Sequence, residues 1–283
     1  MEGFRQISSK DKWLLVHGRK KWQFFYEQVD MQRQFFDKFL KGKKTEVDYW
    51  PKVRLDIRER YYLGNFRWEE EWPIARTEYT PLYIDASQGT MSRSPVGKAG
   101  QARYRVDDWE DKTQRAQFAY TFEQPAELTG YIKLKLWVQA EGSDDLDLFV
   151  ALEKIDRSGE LVQFPFYATH DDGPVALGWL RASHRELDPQ RSTAYQPIQT
   201  HERELKLGKG EIVPVEIEIW PSSTRFEAGE KLRVVVQGSD IYNYPGTWPT
   251  NAHDGRTVNK GEHVIHAGGE YDSHLLVPVV PAK

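Results

Sequence analysis

Residues 129–164, TGYIKLKLWVQAEGSDDLDLFVALEKIDRSGELVQF, decide the fold. Ile132, Leu134, Leu136 and Val138 alternate with Tyr131, Lys133, Lys135 and Trp137. That period of two gives an extended strand one apolar and one mixed face. Leu146, Leu148, Val150 and Leu152 repeat the pattern, with Asp145, Asp147, Phe149 and Ala151 opposite. Asp156-Arg157-Ser158-Gly159 reads as a turn, and Leu161 to Phe164 as a third strand. Interrupting glycines and the density of β-branched and aromatic residues argue against a helix. The expectation is a three-strand meander on which the other β segments bury their apolar faces.

Those other segments lie on both sides. Val53, Leu55 and Ile57 alternate, as do Val213, Val215, Ile217 and Ile219. Leu82 to Ile84, Ala116 to Phe122, Leu232 to Gln237, His263 to His266 and Leu275 to Val280 are further strands, with turns at Pro221-Ser222-Ser223 and Ala228-Gly229-Glu230. Many short strands and no convincing helix beyond residue 44 predict a two-sheet jelly-roll β-sandwich, galactose-binding-like, over residues 46–283. No internal repeat of fixed period is present.

Residues 1–45 differ in kind. Lys12-Trp13-Leu14-Leu15-Val16 is a short continuous apolar run, as in a strand of a parallel sheet buried on both faces. His17-Gly18 ends it, and a helix is expected from about Tyr26 to Lys41. Phe25, Val29, Phe36 and Leu40, joined by Phe35 and Phe39, form its apolar stripe, and Gly42 is a suitable C′ residue. One strand and one helix cannot bury their own apolar surface. The segment therefore reads as severed from an α/β domain that precedes Met1. Trp13, Leu15, Phe35, Phe36 and Phe39 are expected to leave a contiguous apolar patch, and so to drive self-association, unless the upstream domain, another chain or the jelly roll covers it.

Composition narrows the function. The chain of 283 residues is 39% hydrophobic with 10 Trp, ample for a packed core. A net charge of -4 gives no general affinity for nucleic acid or anionic membrane. No Cys is present, which removes disulfides, thiolate metal sites and a Cys nucleophile. No apolar run reaches the roughly 20 residues of a membrane span, and residues 1–11 hold no signal-peptide core. A cytoplasmic location is the expectation, although an unbridged secreted protein has the same composition.

His17 is the sharpest chemical candidate. A His after the last sheet strand occupies the triad slot of an α/β-hydrolase, where it takes a Ser proton and returns it to the leaving group. The competing reading is a surface His in a strand–helix turn. No G-x-S-x-G occurs in the chain, and both triad partners would lie upstream of His17. Asp144, Asp145 and Asp147 suggest Ca²⁺, but they lack the Gly and terminal Glu of an EF-hand loop. They read better as a solvated hairpin end, with Asp145 and Asp147 pairing Lys133 and Lys135 on a neighbouring strand. His263 and His266, three apart on a strand, point to opposite faces and make no joint metal site. His170-Asp171-Asp172 reads as a polar loop. Tyr242, Tyr244 and Trp248 line a ligand groove or pin a long loop to the core.

Several pieces together resemble the C-terminal half of the CocE/NonD family of serine hydrolases, which includes Xaa-Pro dipeptidyl-peptidases. They are KWLLVHG with the aromatic helix after it, EWP, TPLYID, LTGYIKLKLWVQAEGSDDLDLFVALEKID, GWLRASHRELDP, VPVEIEIWPSSTRFEAGEKLRVVVQGSD and HVIHAGGEYDSHLLVPV. The resemblance implies an upstream α/β-hydrolase domain carrying Ser and acid, and a C-terminal non-catalytic jelly roll. It implies His17 as general base, no metal and no organic cofactor. The chain alone is then expected to be inactive. A free-standing β-sandwich that binds a glycan or protein is the alternative.

Overall fold

A computed structural model describes residues 1–107, 111, 113–166, 170–241 and 257–281. The first segment holds α1 (Glu2–Gln6), β1 (Leu14–Val16), α2 (Lys21–Glu27), α3 (Val29–Lys41), β2 (Val53–Arg60) and β3 (Leu63–Glu69). Then come β4 (Glu78–Asp85), β5 (Thr90–Ser92), β6 (Gly100–Arg105), β7 (Arg115–Thr121), β8 (Ala126–Glu141) and β9 (Asp147–Ile155). The rest are β10 (Leu161–Val162), β11 (Phe164–Phe166), β12 (His170–Gly173), β13 (Ala176–Arg181), β14 (Val213–Phe226), β15 (Lys231–Gln237), β16 (Glu262–Ala267) and β17 (His274–Val279). Beyond residue 44 the described helices are two single 3₁₀ turns, Glu46–Tyr49 and Ala182–His184. The protein is mainly β, as expected.

Hydrogen-bonded pairs close a ring, β14–β13–β9–β15–β7–β5–β4–β17–β8 and back to β14. Two joints of that ring are single residue pairs, Gly178 with Ile219 and Thr90 with Ala119. The ring is thus a closed barrel, thinnest at those two joints, with β13, β9, β15 and β7 on one wall and β8 with its neighbours on the other. The alternation in the sequence decides what lies inside. Ile132, Leu134, Leu136 and Val138 of β8 share one continuous core with Leu148, Val150, Leu152, Val234 and Val236 of the other wall.

That arrangement corrects the meander. β8 pairs β14, β16 and β17, whereas β9 pairs β10, β13 and β15. The connection through residues 142–146 crosses from one wall of the barrel to the other instead of turning back beside β8. Alternation says which face of a strand is buried, and it is satisfied equally by a hairpin and by an arch over the core. Residues 170–173 are also not loop, because β12 pairs β11.

The N-terminal arm continues into the chain that follows it. β1 runs parallel to β2, with Val16 opposite Leu55, and β2 pairs antiparallel with β3. β1 is thus only half-buried rather than enclosed on both faces. The helix begins earlier than expected and breaks at Gln28, giving α2 and α3. Gly42, at φ 64°, ends α3 in the left-handed conformation that suits glycine. Val53, Leu55, Ile57, Trp72 and Tyr131 form a second cluster with Met1, Phe4, Leu14 and Val16, which fastens the arm to the outer face of β8. No helix among the described residues is long and apolar enough to cross a membrane.

Candidate active-site half

His17 follows the last residue of β1, where a strand gives way to the turn before α2. Its ring stacks on Phe24 of α2 with centroids 3.8 Å apart, and Phe24 stacks in turn on Phe66 of β3. The backbone N–H of Arg19 donates to His17 Nδ1 over 3.2 Å. Because Nδ1 is an acceptor there, the neutral ring carries its proton on Nε2. A triad His needs the opposite tautomer, with Nδ1–H donating to a carboxylate. Burial lowers the His17 pKa, and the charge of Asp56 opposes that shift.

Asp56 of β2 sits across from this turn and is buried. Its Oδ2 accepts from the Gly18 N–H at 3.2 Å and lies 3.6 Å from Arg19 Nε. Its Oδ1 is buried without a partner. Gly18 is required by close approach, since a Cβ there would stand 2.2 Å from Arg58 Cδ. Arg58 runs beneath it and donates to the Val175 and Ser223 carbonyls and to the Ser222 and Thr224 hydroxyls. Burial pulls its pKa down to about 10. His17, Asp56, Arg58, Trp220 and Ser222 line one cavity of about 220 Å³ between arm and barrel. The Ser222 hydroxyl is taken by Arg58 and Thr224, and that of Ser223 by Thr129.

Asp56 and Arg58 were not singled out from the sequence. The only local signal is that charged residues alternate with Val53, Leu55 and Ile57 on a strand that turns out to be covered on both faces.

The remaining candidates fall elsewhere. Asp145 is buried and bound by Lys206 Nζ at 2.9 Å and by the Ser183 and Leu146 N–H groups. Asp147 takes a bidentate pair from Arg181 at 2.7 and 2.9 Å. The expected partners are thus corrected, for Lys133 pairs Glu216 and Lys135 pairs Asp272. The reason is the arch, which keeps β8 and β9 from being neighbours. No group of three or more His, Cys, Asp or Glu side chains that could hold a metal occurs among the described residues. Tyr242, Tyr244 and Trp248 lie outside those residues.

His263 and His266 do part, as the strand period requires. His263 meets the Tyr104 hydroxyl at 3.1 Å and His266 meets Gln139 at 2.9 Å. Burial drives the His263 pKa down to about 4. The unfolded chain protonates this ring near its ordinary value of about 6.5, so the stability it confers is full above that pH. It is lost as pH falls from 6.5 to 4, by about 3 kcal/mol at most. Denaturant melts at pH 7 and pH 4 should therefore differ less in His263→Gln than in the parent. An equal acid loss in both would place the effect elsewhere.

Comparison with known proteins gives the family. The family model of the X-Pro dipeptidyl-peptidase C-terminal non-catalytic domain matches residues 28–276, and the chain belongs to that family. A CocE/NonD family hydrolase from Staphylococcus aureus is 45% identical, with a TM-score of 0.94 over 99% of this chain and 50% of its own. The cocaine esterase of Rhodococcus is 26% identical over 90% of this chain and 46% of its own length. An α-amino acid ester hydrolase shares the fold at 19% identity and a TM-score of 0.61. The CocE/NonD resemblance read from the motifs is borne out. The chain spans about half the length of these relatives.

Proposed function

We propose that this chain is the C-terminal portion of a serine hydrolase that cleaves an ester or amide through an acyl-Ser intermediate. Residues 1–45 are the end of its α/β-hydrolase domain, and residues 46–283 a jelly roll of galactose-binding-like type. The observation that carries the reading is His17, at the end of a parallel strand and beside a cavity between arm and barrel. In the complete site His17 is general base and then general acid, and a carboxylate from the other half takes over Nδ1 from the Arg19 N–H.

The same reading assigns the uncovered helices. Trp22, Phe25, Val29, Phe36 and Leu40 recur at helical spacing and stand exposed, Phe36 at 53% and Leu40 at 76%. Trp13 packs edge to face on Phe35 and, tilted, on Phe39, while Phe36 and Phe39 remain exposed, so the patch includes two of the residues the sequence named and extends to Trp22, Phe25, Val29 and Leu40. We assign its cover to the upstream half of the hydrolase. The 283-residue chain alone is expected to self-associate and to bind an apolar dye. A monomer by light scattering with no dye binding would count against this assignment.

Activity gives the main test. The chain alone is expected to hydrolyse p-nitrophenyl esters and Xaa-Pro amides no faster than free imidazole, because a base acts only on a hydroxyl within about 2.6–3.2 Å. Among the described residues the hydrogen bond of the His17 ring is to a backbone N–H. Turnover well above that background would contradict the proposal. A binding role for the barrel would take its place if no hydrolase half restored activity.

A further inference from the structure

We propose that His184 and His201 form a two-histidine site for a tetrahedral first-row metal ion of the Zn²⁺ type, with water in the remaining positions. Their Nδ1 atoms face each other at 3.3 Å. Zn–N bonds of about 2.0–2.1 Å at the tetrahedral angle put two ligand nitrogens about 3.3–3.4 Å apart. The spacing is thus the bite of a single ion. Without one, the two rings satisfy each other only when one is protonated at Nδ1 and the other is not, in a hydrogen bond longer than usual.

The scaffold beneath the pair is built. His184 closes the 3₁₀ turn Ala182–His184, and the chain returns alongside it. Leu205 N–H donates to the Ser183 carbonyl at 2.7 Å, Thr200 N–H to that of Glu186 at 3.0 Å, and Asp188 N–H to that of Ile198 at 2.7 Å. An isolated bridge joins Leu187 and Gln199. His201 itself holds φ 54°, in the left-handed region where His, like Asn and Asp, is enriched among residues other than Gly.

Nearby cations have partners of their own. Arg185 donates to the Ala182 and Leu205 carbonyls, and Arg203 is paired with Glu186. Imidazole nitrogen suits Zn²⁺, Ni²⁺ and Cu²⁺ rather than Ca²⁺ or Mg²⁺. With two protein ligands, the ion keeps open positions. This site is independent of the hydrolase reading, since neither ring lines the cavity beside His17.

The test is a titration of the full 283-residue chain with ZnCl₂ in a non-chelating buffer. It is followed by calorimetry and by long-range proton–nitrogen spectra of the imidazoles. The expected result is one equivalent bound, with the Nδ1 resonances of both His184 and His201 displaced. His201→Asn removes the imidazole while keeping a residue that tolerates the left-handed backbone, and His184→Gln removes the other ligand. Each should weaken binding by about 10–100-fold or more, as the loss of even a ligand's outer partner does. His274→Gln, at an exposed ring outside the pair, should change nothing. Unmoved Nδ1 resonances, unchanged affinity in His201→Asn, or an equal loss in His274→Gln would each overturn the proposal.

Discussion

His17→Ala is expected to lower kcat by about 10⁴–10⁶-fold in a protein that joins this chain to the part of the Staphylococcus aureus hydrolase it does not match. Triad members act as a unit, so losing one forfeits nearly the whole contribution of the set. The loss should appear in kcat more than in KM, because the imidazole works on the proton in flight and not on the bound acyl group. Folding should change little. His17 lies just beyond β1, and its chief contacts are one ring stack and one long hydrogen bond. Steady-state kinetics on an ester, with a thermal melt as control, separates lost chemistry from lost fold. Full activity without the imidazole would remove His17 from the mechanism.

Lys154→Ala is expected to cost about 3–5 kcal/mol of stability, read from denaturant melts. Lys154 is almost wholly buried, and each of its three donors is matched. Its ammonium pairs with Glu230 at 2.7 Å and donates to the Glu59 and Arg225 carbonyls at 2.7 and 2.8 Å. Burial lowers its pKa, and the Glu230 carboxylate opposes that shift. Truncation leaves the two carbonyls without their donor and Glu230 with only the more distant Arg60 at 3.4 Å and the Glu227 N–H at 2.8 Å, which costs more than the pair itself contributed. Glu230→Gln in the same protein should recover part of the loss, because it removes a buried charge that has lost its nearest cation. Lys154 also ties β9 to the last residues of β2 and β14, so that junction should loosen first. A loss below about 1 kcal/mol would mean that water reaches the site and screens it.

The core was legible because alternation is a local property. Ile132, Leu134, Leu136, Val215, Ile217, Val234 and Val236 are all buried, as their spacing required. Which strands neighbour one another was not legible. The run from Glu141 to Leu146 is long enough for a hairpin and for an arch, and only the partners supplied by β14 and β15 select the arch. The same blindness misassigned the partners of Asp145 and Asp147. Lys154 carries no local mark of burial either, since its acceptors come from residues 59, 225 and 230. At the site, His17 could be placed because a strand end followed by an aromatic helix is a local pattern. Asp56 and Arg58 could not, because their importance arises only when β2 pairs with β1 and the arm folds onto Ser222 and Val175.

The most direct measurement is labelling of the joined hydrolase with a fluorophosphonate, followed by mapping of the modified residue. The account predicts one labelled serine, in the part added ahead of Met1, with labelling that slows by orders of magnitude in His17→Ala. The 283-residue chain alone should remain unlabelled. Rapid labelling of a serine within residues 1–283, or labelling that His17→Ala leaves unchanged, would contradict it.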